Sequence, residues 1–250
     1  MNKTLTACLL TALTLPATAA PAIHIGAMYD YFDAGKSTLL KRVRNSGTST
    51  AFVKVSVAEI VYGSNGKPEE KPMSTEKLAQ GELNGLVASP ARLIVPAGGM
   101  QASRLLYMGP RDQERYYRVR FTPVLPDKQE QFAVSDSEAE SYKSEMSAGV
   151  QVLTGYGGIV IVRPQQPHYD TLLQNEATTY TVRNQGNSTV VLDVFYDCAA
   201  LLKDCGSPSK HHVRPGSSKT FSKAAGRSYK FELIEGANKR EVQFGQLAKP

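Results

Sequence analysis

Several side-chain patterns in this sequence invite a chemical reading, and most of them dissolve on inspection. Gly35-Lys36-Ser37-Thr38 resembles the end of a phosphate-binding loop, but that loop needs a glycine five positions before Gly35, where Asp30 stands. The four histidines, His24, His168, His211 and His212, lack the spacing of metal ligands, and His211-His212 reads as the exposed start of a strand. No serine sits in a Gly-x-Ser-x-Gly elbow, and no carboxylate pair is placed by anything more than loop composition. The chain asks for no catalytic role, metal or cofactor, so the expectation is a protein that is not an enzyme.

The cysteines do carry a signal. Cys8 lies in the amino-terminal segment, which leaves Cys198 and Cys205 as an even pair with six residues between them. Zinc would need two further soft ligands, and only His211 and His212 lie near; a catalytic thiol pair would usually be closer, as C-x-x-C. A disulfide closing a local loop is the simplest of these readings, and it suits an oxidising compartment.

Three further features suggest binding rather than catalysis. Lys41 alternates with Leu39 and Val43, so a cation lies on the same face as two apolar neighbours, where it needs a counter-ion or an opening to water. Tyr116, Arg118 and Arg120 share a face opposite Tyr117, Val119 and Phe121; a solvated surface is the ordinary explanation for such arginines. Residues 148–163 read as one strand, long against the usual ~5–6 residues. Val150, Val152 and Thr154 fall on one of its faces, and no charge interrupts the run from Val150 to Val162. A strand without blunting charges can be an edge that invites another chain to pair.

These residues sit in an all-β framework. The first twenty residues stand apart: Lys3 gives a positive start, residues 5–15 are mostly apolar, and Pro16-Ala17-Thr18-Ala19-Ala20 offers small residues for cleavage. This is the pattern of a secretory signal peptide cut after Ala19 or Ala20. Leu5-Thr6-Ala7-Cys8 imitates a lipoprotein site, but no apolar segment precedes it. No later apolar run approaches the ~20 residues of a membrane-spanning helix, so a soluble, exported protein with no membrane insertion is expected. With 250 residues, 41% of them hydrophobic, the chain can build a real core, and a net charge of +6 does not require nucleic acid.

An internal duplication organises the mature chain. Val43-Arg44-Asn45-Ser46-Gly47-Thr48-Ser49-Thr50 returns as Val182-Arg183-Asn184-Gln185-Gly186-Asn187-Ser188-Thr189, each followed by a β-branched run. Each copy reads as strand, polar turn and strand, with the glycine expected to supply the positive φ of a tight turn. An apolar-Pro-Gly element follows in both copies, Val95-Pro96-Ala97-Gly98 and Val213-Arg214-Pro215-Gly216. About seven short strands per half predict two tandem immunoglobulin-like sandwiches. The absence of tryptophan and of a Cys pair spanning either half sets them apart from antibody domains. The expected division is 21–163 and 164–250, at Arg163-Pro164, with residues 63–85 and 126–147 read as mobile polar insertions.

Pro90-Ala91-Arg92-Leu93-Ile94-Val95-Pro96, followed by Gly109-Pro110-Arg111-Asp112-Gln113-Glu114-Arg115-Tyr116-Tyr117-Arg118-Val119, resembles the signature region of periplasmic pilus-assembly chaperones. The likeness is to the alternate branch of the chaperone–usher family, including chaperones of the common pilus of enteric bacteria. Ser37-Thr38-Leu39 with Lys41, Ile159 to Val162 with Pro164, and Cys198 with Cys205 also match that branch. The resemblance implies a boomerang of two immunoglobulin-like domains that binds pilin subunits in the periplasm and delivers them to the outer-membrane usher. A pilin of this class lacks its last strand, and the chaperone lends one in its place. The donor residues would be Val150, Val152 and Thr154, each buried valine contributing roughly 1.5–3 kcal/mol. The exposed edge also offers a surface for self-association of the free protein. The family grips the pilin's terminal carboxylate with basic residues in the cleft between domains. Here Ile159 stands at the position of the better-known branch's cleft lysine and Tyr29 at that of its early-strand arginine, so the grip is expected from Lys41, with Arg118 second. The alternative reading is an exported structural pilus subunit or adhesin; a carbohydrate-active enzyme is disfavoured by the lack of tryptophan and of a placed acid pair.

Overall fold

The computed structural model describes residues 20–63, 66–73, 84–147 and 152–246. Most of the expected signal segment, including Cys8, and donor residue Val150 lie outside these residues.

Among the described residues the first sandwich has ten strands. One sheet runs β1-β3-β8-β6, formed by Ile23–His24, Thr38–Asn45, Met100–Met108 and Gly85–Ser89 as β1, β3, β8 and β6. The facing sheet runs β2-β10-β9-β4-β5, formed by Tyr29–Phe32, Tyr156–Val162, Arg115–Pro123, Ala51–Tyr62 and Pro68–Pro72; β7 (Arg92–Val95) also pairs with β4. In the second sandwich β11 (Thr171–Asn175), β12 (Thr179–Asn184) and β15 (Ser218–Ser222) face β14 (Ser209–Val213), β13 (Val190–Ala199), β16 (Arg227–Glu235) and β17 (Asn238–Gly245). The fold is thus all-β, with two tandem immunoglobulin-like sandwiches.

Alternation along the strands fills the cores. Along β3, Lys41, Val43 and Asn45 point inward while Leu40, Arg42 and Arg44 point out. Phe32, Val53, Leu86, Tyr117 and Phe121 form the heart of the first core; Leu192, Phe231, Leu233 and Phe244 form that of the second. Each sandwich has its own apolar centre.

The duplicated motif performs the same task twice. Asn45 and Asn184 are fully buried. Asn45 Nδ2 donates to Ser49 O at 2.7 Å and Val95 O at 3.1 Å, and Asn184 Nδ2 donates to Ser188 O at 2.9 Å and Val213 O at 2.8 Å. Their Oδ1 atoms accept from the backbone N–H of Gly47 and Gly186. Each asparagine ties its turn to the apolar-Pro-Gly element, satisfying polar groups that burial would otherwise penalise. The glycines are there for a different reason from the one expected. Neither has a positive φ; a Cβ on Gly47 would run into the backbone of Ala20 and Ala22, and one on Gly186 into His168 and Asp170. Within the duplication, the glycines with positive φ are Gly98 and Gly216, in the later elements.

Three expectations need correction. Residues 148–163 do not form one strand: β10 begins at Tyr156, and Val152 to Gly155 are in no strand. Residues 126–147 are not an unstructured insertion, because Asp136–Ser147 is a helix, α1. Ser135 Oγ accepts from the Glu138 N–H while Glu138 accepts from the Ser135 N–H at 2.8 Å, a reciprocal cap. Ala139, Tyr142 and Met146 are its buried residues; Tyr142 and Met146 pack on the outer face of the sheet at Phe52 and Ile94, joined by Leu153. Finally, residues 68–72 within the expected 63–85 insertion pair as β5 with the end of β4.

Candidate functional site: the cleft between the sandwiches

An arginine and a glutamate hold the joint between the sandwiches. Arg163, directly after β10, is 6% exposed. Its Nε lies 3.3 Å from Asp33 Oδ1, its Nη1 donates to Tyr169 Oη and Thr189 O, and its guanidinium lies over the rings of Tyr31 and Tyr169 at 5.1 and 5.5 Å. Glu114 reaches across to accept from the Thr189 N–H and hydroxyl and from Tyr116 Oη. Burial pushes the Glu114 carboxyl up from its usual range. A buried arginine with an acid and two rings around it is strongly penalised if any partner is lost, which favours one arrangement of the joint.

Beside this joint opens a cleft of about 470 Å³. Its wall in the first sandwich is a row across three strands: Tyr29 on β2 is in register with Ile159 on β10, and Ile159 with Arg118 on β9. All three line the cleft. Its wall in the second sandwich carries Lys210, Arg214 and Lys219. Lys210 is neutralised by Asp193 at 3.0 Å. Arg214 lies 3.4 Å from the centre of the Tyr62 ring and Lys219 5.6 Å from that of Phe221, and neither is in an ion pair among the described residues. The cleft is therefore cationic, and a carboxylate is the ligand such a lining favours.

His212 closes the floor without adding charge. Its ring stacks on Tyr29 with centroids 3.8 Å apart, and its Nε2 hydrogen-bonds the Tyr31 hydroxyl at 2.7 Å. Burial pushes the imidazole down to about 4, so it is neutral near pH 7. It is half-buried and links the two sandwiches, not the exposed strand start that the sequence suggested.

The expected site residues are placed differently from one another. Arg118 lies in the cleft, with its Nε donating to Glu70 at 2.7 Å. Lys41 does not: it lines a separate cavity with Ile25, Ala27 and Arg42. Its ammonium is 2.7 Å from Asp30 and also donates to Ala27 O, so the counter-ion that an inward-facing lysine requires is Asp30. Val152 is 76% exposed and Thr154 is exposed, whereas Leu153 between them turns in toward α1. β2 pairs with β10 only from Ile159 onward, so the edge at Tyr156 to Gly158 has no partner strand on that side among the described residues. Cys198 and Cys205 are disulfide-bonded.

Sequence reasoning missed Arg214, Lys219 and Glu70. Arg214 did leave a trace, as the one residue that the second apolar-Pro-Gly element inserts before its proline. Lys219 and Glu70 could not be found, since their place depends on how the two sandwiches and the β4–β5 hairpin are set in space.

No family model matches the chain. It is similar to the probable fimbrial chaperone EcpB of Klebsiella pneumoniae subsp. pneumoniae, 28% identical over 210 residues and 82% of each chain. The protein of the same name from Escherichia coli O7:K1 is 27% identical over 208 residues, again 82% of each chain. Among solved structures, the class 5 fimbriae chaperone CfaA superposes with a TM-score of 0.56 at 18% identity, covering 91% of this chain and 100% of its own. The E. coli chaperone DraB gives 0.55 at 15% identity, covering 90% and 99%. The structural likenesses speak for the fold and the sequence likenesses for kinship. By sequence the chain is similar to proteins named probable fimbrial chaperones, and by fold to chaperones of other fimbrial systems.

Proposed function

We propose that the protein works in the periplasm, after loss of a signal peptide spanning residues 1–20, as a non-enzymatic chaperone that captures pilin subunits and passes them to an outer-membrane usher. The working units are residues 21–163, which bind the subunit, and 164–250, which complete the cleft. The segment holding Val150, Val152 and Thr154 supplies the missing strand of the subunit, and its open edge gives the free protein a means of self-association.

The observation that carries this reading is that the open edge of β10, at Tyr156 to Gly158, ends at the Tyr29–Ile159–Arg118 row that lines the cleft. A strand added along that edge would bring its terminal carboxylate to Arg118. Arg118 rather than Lys41 is assigned the grip, because the Lys41 ammonium is already engaged by Asp30. In effect the anchoring charge has moved one strand sideways within the same row, onto β9. The alternative of a structural pilus subunit is not favoured, since the relatives are named chaperones.

Co-expression with candidate pilins, followed by isolation of a soluble one-to-one complex, tests the proposal. A charge-assisted hydrogen bond contributes about 1.5–3 kcal/mol, so Arg118→Ala is expected to weaken capture by about 10- to 100-fold while the free protein melts as before. Capture undiminished by Arg118→Ala removes that residue from the grip.

A further inference from the structure

Arg118 and Arg120 stand on one face of β9, and the acid between them comes from a different strand. Glu70, in the middle of the edge strand β5, accepts from Arg118 Nε at 2.7 Å through one oxygen and from Arg120 Nη2 at 2.6 Å through the other. The hydrogen bond from Arg120, followed by that from Arg118, holds the Glu70 carboxyl below the usual carboxylate range, so it is ionised at neutral pH. Two guanidinium groups and one carboxylate leave a single surplus positive charge, the complement of one incoming carboxylate.

The bond to Arg118 uses Nε, the N–H nearest the side-chain stem. The four N–H groups on its terminal nitrogens remain, and among the described residues they have no hydrogen-bond acceptor. Gly157 on β10 provides the space for them. It pairs with Arg120, so it sits diagonally from Arg118, and a Cβ there would lie 3.6 Å from both Cδ and Nη1 of Arg118. The arginine lies flat across a residue that has no side chain, held at its root and free at its tip.

We propose that Glu70 is a positioning residue for the carboxylate grip: it fixes Arg118 through Nε so that the terminal fork is presented to the cleft before a subunit arrives. The inference rests on the assignment of Arg118 as the anchor. A free arginine loses much rotamer entropy when it is ordered by a ligand; one held in advance loses less on binding. The geometry separates this role from competition, in which Glu70 would occupy the terminal nitrogens themselves.

The test compares wild type, Glu70→Ala, Glu70→Gln and Arg118→Ala for binding of a synthetic peptide of alternating valine and threonine, made once with a free terminal carboxylate and once as the amide. Strand pairing is common to both peptides, so the acid-to-amide affinity ratio isolates the grip. Wild type is expected to favour the acid by about tenfold or more. Glu70→Ala should reduce that ratio severalfold with the amide affinity unchanged, and Glu70→Gln, which keeps an acceptor for Nε, should recover part of it. A ratio in Glu70→Ala equal to wild type overturns the inference, even if both affinities fall together through damage to β5. A higher ratio also overturns it and marks Glu70 as a competitor. A wild-type ratio retained by Arg118→Ala instead defeats the anchor assignment, through a different variant.

Discussion

Replacing Val152 by aspartate separates what this segment does alone from what it does in a complex. Val152 is 76% exposed and in no strand, so the free protein has almost nothing to lose: its stability should stay within about 0.5 kcal/mol of wild type. In a donated strand the same side chain would enter an apolar groove. The substitution then forfeits the roughly 1.5–3 kcal/mol of a buried valine and places a carboxylate where an unpaired polar group costs at least about 1–3 kcal/mol more. The sum is at least about 2.5 kcal/mol, or a loss of affinity of about seventyfold or more. Two measurements read it: the thermal melt of the isolated protein, and the yield of soluble one-to-one complex with a pilin under protease challenge. Val152→Ile, which keeps the apolar character, controls for changes at this position in general. An aspartate variant that protects its subunit as well as wild type does would refute the donor assignment, because no groove accepts a charge without cost. A variant that fails to fold would equally contradict the exposure on which the argument stands.

Lys41→Ala should act on stability, by about 3–5 kcal/mol, because it strands Asp30 in a largely buried position; a normal melting temperature with lost capture would instead return Lys41 to the binding site. His212 should make the joint acid-sensitive. Its folded value of about 4 lies below the ordinary 6.5, so the unfolded chain binds more protons between those limits, and stability is lost as pH falls through that window. Discounted for the ring's partial exposure, the loss is about 1–2 kcal/mol. Glu114, raised by burial, works in the opposite direction, so the informative comparison is the pH slope of melting temperature in wild type against His212→Gln; equal slopes would exclude His212 as the cause.

Much of the architecture could be read directly because its signals are local. β3 and β4 lie on either side of the first duplicated turn, as the strand–turn–strand reading expects, where β-branched residues alternate with polar ones. The duplication was legible for the same reason, and the structure explains it through two asparagines that repeat one set of bonds. Helix α1 was also written in the sequence: Ser135 and Glu138 form a capping box, and Ala139, Tyr142 and Met146 follow at helical spacing. Its many charges read as a solvated loop, although a narrow apolar stripe is enough for a helix that only has to lie on a sheet. The glycines of the duplicated turns misled in the opposite way. Their identity was legible, but the reason for it, a neighbouring chain too close for a Cβ, belongs to tertiary structure.

The two candidate cations show why charge alone does not identify a site. Lys41 attracts notice because it lies among apolar residues, yet that same burial requires it to be neutralised within the fold, and Asp30 and Ala27 do so. Its compact ammonium has little left to offer a ligand. Arg118 looks ordinary in the sequence, one of several arginines on a strand face. Its guanidinium spreads five N–H donors over a rigid fork, so one can be committed to Glu70 while the rest face the cleft. Burial marks cations that the fold needs, whereas a binding cation has to be held and still remain unspent. By that criterion Arg214 and Lys219, placed against aromatic rings and without acidic partners among the described residues, reinforce Arg118 from the opposite wall. The cleft then draws its positive charge from both sandwiches, and the joint formed by Arg163 and Glu114 is what sets the distance between those two walls.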